Sequence, residues 1–392
     1  MIDRNSETSG EPSCVSGRLR TPSPTGRLRS SARQICLLLL LAIVGCGPSV
    51  DTSGDKPLVI GFLYIGARDD FGYNQAHAAG AEAVRKIPGV VVTEEEMVPD
   101  SLDAQKTMKS MVELNGASVI FPTSFGYYDP HTLRLAARYP KVKFLHCGGL
   151  WDEKQHPDNI GTYFGFIDEC QYLSGIVAAH ATKSKKLGFV GGKAIPQVRR
   201  NINAFTLGAR SIDPEITCTV IFTGDWSLSV KEAEATLNLI DQGVDVLTCH
   251  VNSPKVVIEQ AERRGIYTCG YHADQSSLAP KGYLTGAEWN WEKVYTDYVE
   301  MIRAGKWKPG LTRGGLKEGF VKMSPYGPKA TPEARKAADA VKAKLLDGSF
   351  VIFKGPLLDN AGKTVIPAGA ELVQTAVELE KMDYFVDGVI GR

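Results

Sequence analysis

Aromatic, amide and carboxylate side chains gather at a few loop positions where they could grip a flat heterocycle without covalent chemistry. The first group is Phe71, Tyr73 and Asn74, just after the apolar run 58–65. Phe71 or Tyr73 offers a stacking face, and Asn74 an amide that pairs with a heterocycle. Ser124, Phe125, Tyr127 and Asp129 follow the run 118–121. Asp225-Trp226 follows 218–222, Asn252 follows 244–249, and His272 with Asp274 follows 266–269. A tryptophan at a loop–helix junction presents a flat face, and each good stack contributes about 0.5–1.5 kcal/mol. Plainer roles stand beside these. Asp225 and Ser227 fit as helix caps, and Asp129 as a cap with Pro130 at the first helical position. Phe71 and Tyr73 fit as a lid over a helix start, Trp226 as a packing residue between domains, and His272 as a satisfied hinge histidine.

Covalent chemistry has no constellation to work with. HExxH, GxxxxGK[ST] and GxSxG are missing, and Gly191-Gly192-Lys193 lacks the Walker spacing. The histidines are not spaced as metal ligands. No cofactor, no metal and no enzyme activity are called for.

The elements that must position these loops are short apolar strands alternating with amphipathic helices, at a repeat of roughly 25 residues. A helix is expected from Asn74, with Ala76, Ala79, Ala83, Val84 and Ile87 on one face. Helices are also expected at 101–114 and 131–137. An irregular stretch, 148–159, interrupts the pattern. It restarts with helices at 170–182, 197–210, 229–243, 255–264, 291–304 and 331–347. The fold class is α/β, with parallel sheets. Ligands of such sheets lie beyond the carboxyl ends of the strands, and two similar halves place a cleft between two lobes.

The 392 residues are enough for two domains with real cores. With 45 basic and 44 acidic residues, no electrostatic footprint for nucleic acid is present. Residues 1–33 are polar and carry Arg18, Arg20, Arg27, Arg29 and Arg33; the apolar run 35–44 has the length of a signal h-region. It ends in Gly45-Cys46, which resembles the lipobox of bacterial lipoproteins and implies cleavage before Cys46 and its acylation. The alternative is a plain secretory signal cleaved nearby. The leader is longer than usual, and a start downstream of Met1 fits it. Cys147, Cys170, Cys218, Cys249 and Cys269 read as buried small hydrophobes; Cys249 with Cys269 is one pairing an oxidising compartment would allow.

Taken in order, Val59-Ile60-Gly61-Phe62, Asp70-Phe71-Gly72-Tyr73-Asn74-Gln75, Ser124-Phe125-Gly126-Tyr127, Asp129-Pro130, Leu239-Ile240-Asp241-Gln242-Gly243-Val244-Asp245 and Lys317-Glu318-Gly319 resemble the basic membrane protein family of bacterial substrate-binding lipoproteins. The resemblance implies a type I periplasmic-binding fold with two Rossmann-like lobes joined by three hinge crossings. The expected division is 1–45 signal and leader and 46–56 polar tether. The first lobe takes 57–166 and 273–308, the second 167–272 and 309–356, and 357–392 is a tail packed on a lobe. The family implies a purine held between two aromatics, here Phe71 or Tyr73 opposite Trp226, with Asn74 and Asp129 at the ring edge. Its nucleoside binders place an aspartate for the ribose where this chain has His272, and a lysine near the place of Trp289. A free purine base, adenine-like, is therefore expected ahead of a nucleoside. The implied partners are an ABC permease and ATPase and a membrane holding the lipid anchor, on the periplasmic or extracellular side, with the chain a monomer. The alternatives are a ligand sensor docking on a membrane receptor, a nucleoside hydrolase, and another flat ligand such as riboflavin or thiamine.

Overall fold

The structure is a computed structural model and describes residues 56–391. Cys46 and the leader fall outside that range. The strand β1 (Leu58–Leu63) is apolar on both faces, and its last four residues are buried. That is what a central parallel strand covered by helices requires. Helix α1 (Tyr73–Arg85) follows, with Asn74, Ala76, His77, Gly80, Ala81 and Val84 buried. Ala79, expected on the inner face, is exposed, because the face is rotated towards His77 and Gly80. Then come β2 (Val90–Glu95), α2 (Leu102–Glu113), β3 (Val119–Pro122), α3 (Leu133–Arg138), β4 (Lys143–Cys147) and β5 (Ile160–Gly165).

The second run begins with α4 (Asp168–Ala181), buried from Asp168 through Ala178. It lies against α5 (Pro196–Arg210), with β6 (Lys186–Gly191) between them in the chain. The two helices touch through glycines. A methyl at Gly175 would lie 2.0 Å from the Phe205 carbonyl oxygen, and one at Gly208 2.0 Å from that of Tyr172. Next are β7 (Thr217–Phe222), α6 (Ser229–Asp241), β8 (Val246–His250), α7 (Lys255–Arg263), β9 (Tyr267–His272), β10 (Tyr283–Trp289), α8 (Trp291–Arg303), β11 (Gly310–Gly314), β12 (Val321–Met323) and α9 (Pro332–Asp347).

One sheet has the order β11-β5-β4-β3-β1-β2, the other β12-β10-β9-β8-β6-β7 with the short strand Val389–Ile390 at its edge. Neighbours run parallel, except that β12 is antiparallel to β10. The chain crosses between the sheets after β5, at Asn290 and between β11 and β12. These are three crossings between two parallel α/β lobes.

Two lobe boundaries differ from those expected. The strand β10 lies in the second sheet, paired with β9 in the register Gly286↔Gly270, Ala287↔Tyr271, Glu288↔His272. The crossing is therefore at Asn290, not at 273. Conversely β11, expected in the second lobe, pairs with β5 in the first sheet. In both cases the unpaired edge of a buried strand decides the lobe, since its backbone groups need partners. The tail beyond α9 ends on β7. All five described cysteines are buried and free. Among the described residues no helix is long and apolar enough to cross a membrane.

Candidate functional site

The loop after β1 is built around one carboxylate. Asp70 accepts from the backbone N–H of Gly72 at 2.9 Å, Asn74 at 3.1 Å and Gln75 at 3.0 Å, and from Asn74 Nδ2 at 2.7 Å. It thereby satisfies the open donors at the start of α1. Burial pushes the Asp70 carboxyl above its usual pKa, against the pull of those bonds. The Asn74 carbonyl accepts from Gly66 N–H at 3.2 Å. Both ends of the Asn74 amide thus hold the loop in place, each through one bond, while one N–H of its Nδ2 and one lone pair of its oxygen stay uncommitted.

The same loop meets the second lobe through main-chain atoms. Tyr73 N–H donates to the Asn252 carbonyl at 2.9 Å. Ser253 Oγ donates to the Asp70 carbonyl at 2.8 Å, and Gln275 Nε2 to the Phe71 carbonyl at 2.6 Å. The Lys255 ammonium lies 5.3 Å from the centre of the Phe71 ring, a cation–π contact between the lobes. Phe71 itself has a φ of 55°, left-handed for a bulky residue. Gly72 is what lets the surfaces approach. A Cβ there would lie 2.1 Å from the Asn252 carbonyl oxygen and 2.5 Å from Pro254 Cδ.

Behind this contact, five rings form a circuit across the lobes. Tyr73 meets His77 edge-on at 4.6 Å, and His77 stacks on Trp291 at 5.4 Å. Trp291 stacks on Trp289 at 4.9 Å and 11°; Trp289 faces His272 at 6.2 Å, and His272 meets Tyr73 at 5.4 Å. Tyr73, His77 and Trp291 belong to the first lobe, His272 and Trp289 to the second. Tyr73 is pinned by its hydroxyl, which donates to the Thr123 carbonyl at 2.6 Å.

The hydrogen bonds of His272 fix its protonation. The Trp289 indole N–H donates to His272 Nδ1 at 2.8 Å, so that nitrogen is an acceptor. The proton sits on Nε2, which donates to the Val251 carbonyl at 3.1 Å. Burial, helped by the neighbouring His250 and His77, holds this imidazole neutral, well below its ordinary pKa. His77 is neutral for the same reason: burial first, then His146, pulls it to about 3.

The remaining expected residues are spread more widely. Ser124 is buried, and its carbonyl accepts from His146 Nε2 at 2.8 Å. Phe125 is 73% exposed, its ring edge against Gly148. Trp226 is half-buried beside Gly192, with the Lys193 ammonium 5.8 Å from its ring centre and His250 at 5.8 Å. Asn252 takes part through its backbone, donating to the Trp226 carbonyl at 2.8 Å. Three residues are not brought to the rings. Tyr127 is in the outer core, donating to the Val98 carbonyl at 2.5 Å. Asp129 is exposed on the turn before Pro130, and Asp274 is exposed and accepts from Ser276 N–H at 2.8 Å as a turn cap.

Sequence reasoning missed His77, Trp291 and Asp100. His77 is four positions from Tyr73, so both project from one side of α1, and this spacing was available to find it. Trp291 follows the hinge residue Asn290 directly. Asp100 packs against Gly126. Burial raises its pKa, while Ser124, His131 and Lys193 of the other lobe oppose the rise. A surface cavity of about 370 Å³ is lined by Arg68, Asp69, Glu82, Arg85, Glu94 and Glu96, outside the ring circuit. Its walls are ion-paired to one another, as in Arg68 with Glu94 and Arg85 with Glu82.

Comparison with known proteins bears on the chain as a whole. A family model described as "ABC transporter substrate-binding protein PnrA-like" matches residues 58–349. A purine-binding protein of Brucella abortus is 34% identical over 337 residues, 86% of this chain and 93% of that protein. A putative ABC transporter glucose-binding protein of Haloferax volcanii is 29% identical over 331 residues, 84% of this chain and 80% of that one. Among solved structures, an ABC transporter solute-binding protein from Conexibacter woesei matches with a TM-score of 0.65 at 22% identity, over 75% of this chain and 97% of that chain. The last likeness shows the periplasmic-binding fold.

Proposed function

The chain belongs to the Bmp family of PnrA-like ABC transporter substrate-binding proteins, and from that premise we propose that it captures a purine base, adenine-like ahead of a nucleoside, in its interlobe cleft. It is a solute-binding protein, not an enzyme. In this reading the protein is a monomer held to the membrane by lipid on Cys46, and it delivers the base to an ABC permease and ATPase. Loss of labelled palmitate incorporation in Cys46→Ala would check the anchor.

The observation that carries the ligand reading is the state of His272. Both of its nitrogens are engaged, one by Trp289 and one by the Val251 carbonyl. At this position a ribose would need an open acceptor for its hydroxyls, and none is offered. Trp289, 2% exposed, occupies the adjoining space. In this reading Tyr73, Trp226, His272 and Trp289 supply the stacking faces for a flat ring, and Ser124 and Asn252 lie at the edge of the site. Binding works by closure: a ligand that touches both lobes favours the state in which they meet, and the permease receives that state.

A thermal-shift screen of the chain freed of its leader tests this, with adenine, adenosine, guanine, guanosine, riboflavin, thiamine and glucose. A ligand at about a hundred times its dissociation constant stabilises by about 2.7 kcal/mol. A rise with adenine and none with adenosine supports the reading. A rise with nucleosides alone keeps the family and discards the argument from His272. A rise with glucose or riboflavin alone discards the purine.

A further inference from the structure

The ring circuit leaves two nitrogens without a protein partner, Nε2 of His77 and Nε1 of Trp291. Both side chains are 0% exposed. A buried polar atom left unpaired costs about 1–3 kcal/mol, so two on adjacent rings call for an explanation. Neither ring is free to turn towards a partner elsewhere. The other nitrogen of His77 bonds the Tyr295 hydroxyl, which bonds the Tyr163 hydroxyl at 2.7 Å. Trp291 is held between His77 on one side, 6° from parallel, and Trp289 on the other. Tyr73, which touches His77, touches His272 across the cleft. The second lobe's rings satisfy each other, whereas these two do not.

We propose that His77 and Trp291 read the edge of the bound heterocycle. The Trp291 indole N–H donates to an acceptor on the ring, since indole nitrogen can only donate, and His77 Nε2 makes a second bond to a neighbouring edge atom. The occupant is thus a heteroaromatic base that turns a ring acceptor towards the first lobe. The assignment rests on the purine reading above and adds to it the residues that choose among purines.

Calorimetric affinities of the parent protein, His77→Phe and His77→Gln for adenine, purine, 3-deazaadenine and 7-deazaadenine test it. Phenylalanine keeps the stack and loses both nitrogens, while glutamine keeps a polar group near Nε2. The parent should bind at least one of the three analogues about tenfold more weakly than adenine. His77→Phe should lose about tenfold for adenine and no longer tell that analogue from adenine; His77→Gln should regain part of the difference. Equal loss for all four ligands in a folded His77→Phe assigns the residue to packing and overturns the proposal, as does an unchanged adenine affinity. If His77→Phe does not fold, the glutamine variant decides by the same ratios. A parent that binds none of the four overturns the purine reading and this assignment with it, whereas uniform loss overturns this assignment alone.

Discussion

The two lobes contribute rings to the same circuit in opposite ways. In the second lobe the polar atoms are closed off: Trp289 donates to His272, and His272 donates to Val251. In the first lobe His77 and Trp291 each keep one nitrogen unpaired. A wall whose polar atoms are satisfied offers shape and stacking, while a wall with open ones offers hydrogen bonds. The contrast separates how tightly a flat ligand is held from which flat ligand is chosen. It also accounts for His272 sitting at a φ of 75°, in the left-handed region. Its two bonds and surrounding rings hold a conformation that the residue would rarely adopt alone.

Breaking the satisfied wall should have the largest effect. Trp289→Ala removes a buried ring and leaves His272 Nδ1 without its donor, so it should cost about 3–5 kcal/mol of stability, measured by urea denaturation. Next comes Trp226→Ala. Trp226 belongs to the second lobe but stands outside the circuit, so its loss should weaken binding by about 1–3 kcal/mol in calorimetry and leave the melting temperature near that of the parent. An affinity unchanged in a folded variant would remove Trp226 from the site. Gly72→Ala sharpens the comparison from the seam itself. The added methyl cannot coexist with the Asn252 carbonyl, so about a tenfold loss of affinity is expected, with a larger radius of gyration by X-ray scattering at saturating ligand.

A last test is one of pH, where the change is spread over several units rather than concentrated in one variant. His77 is held at about 3, below the ordinary histidine value. As pH falls through 6.5 the unfolded chain takes up this proton first, so the histidine's contribution is whole above 6.5 and drains away towards about 3. His77→Phe should therefore flatten the fall of stability between those limits, by at most about 1.4 kcal/mol per pH unit. Parallel denaturation series of parent and variant would show it. Identical slopes would mean that His77 titrates alike in both states.

Most of the βα alternation was legible in the sequence, because buried parallel strands are continuous apolar runs and their helices carry a 3.6-residue stripe. The hinge at Asn290 was not, because β10 joins the second sheet through its register with β9, a pairing that no local pattern encodes. Among the site residues, Tyr73, His272 and Trp289 lie in the circuit. An amide at a helix start can serve a ligand, the loop or both, and at Asn74 the loop takes one bond at each end, to Asp70 and from Gly66. His77 went unread although its spacing of four from Tyr73 puts both on one side of α1. Asp129 and Asp274 share a sequence setting, after a strand and before a turn, with residues that do point inward. Only tertiary placement separates the two cases.

The stack of Trp289 on Trp291 straddles the crossing at Asn290, one indole from each lobe, 4.9 Å apart and nearly parallel. Two indoles that close share their excited states. Any rotation of the lobes about Asn290 changes their separation or tilt, and with it the emission and the near-ultraviolet dichroism. The protein thus carries its own optical gauge of hinge angle, readable in stopped flow without a label.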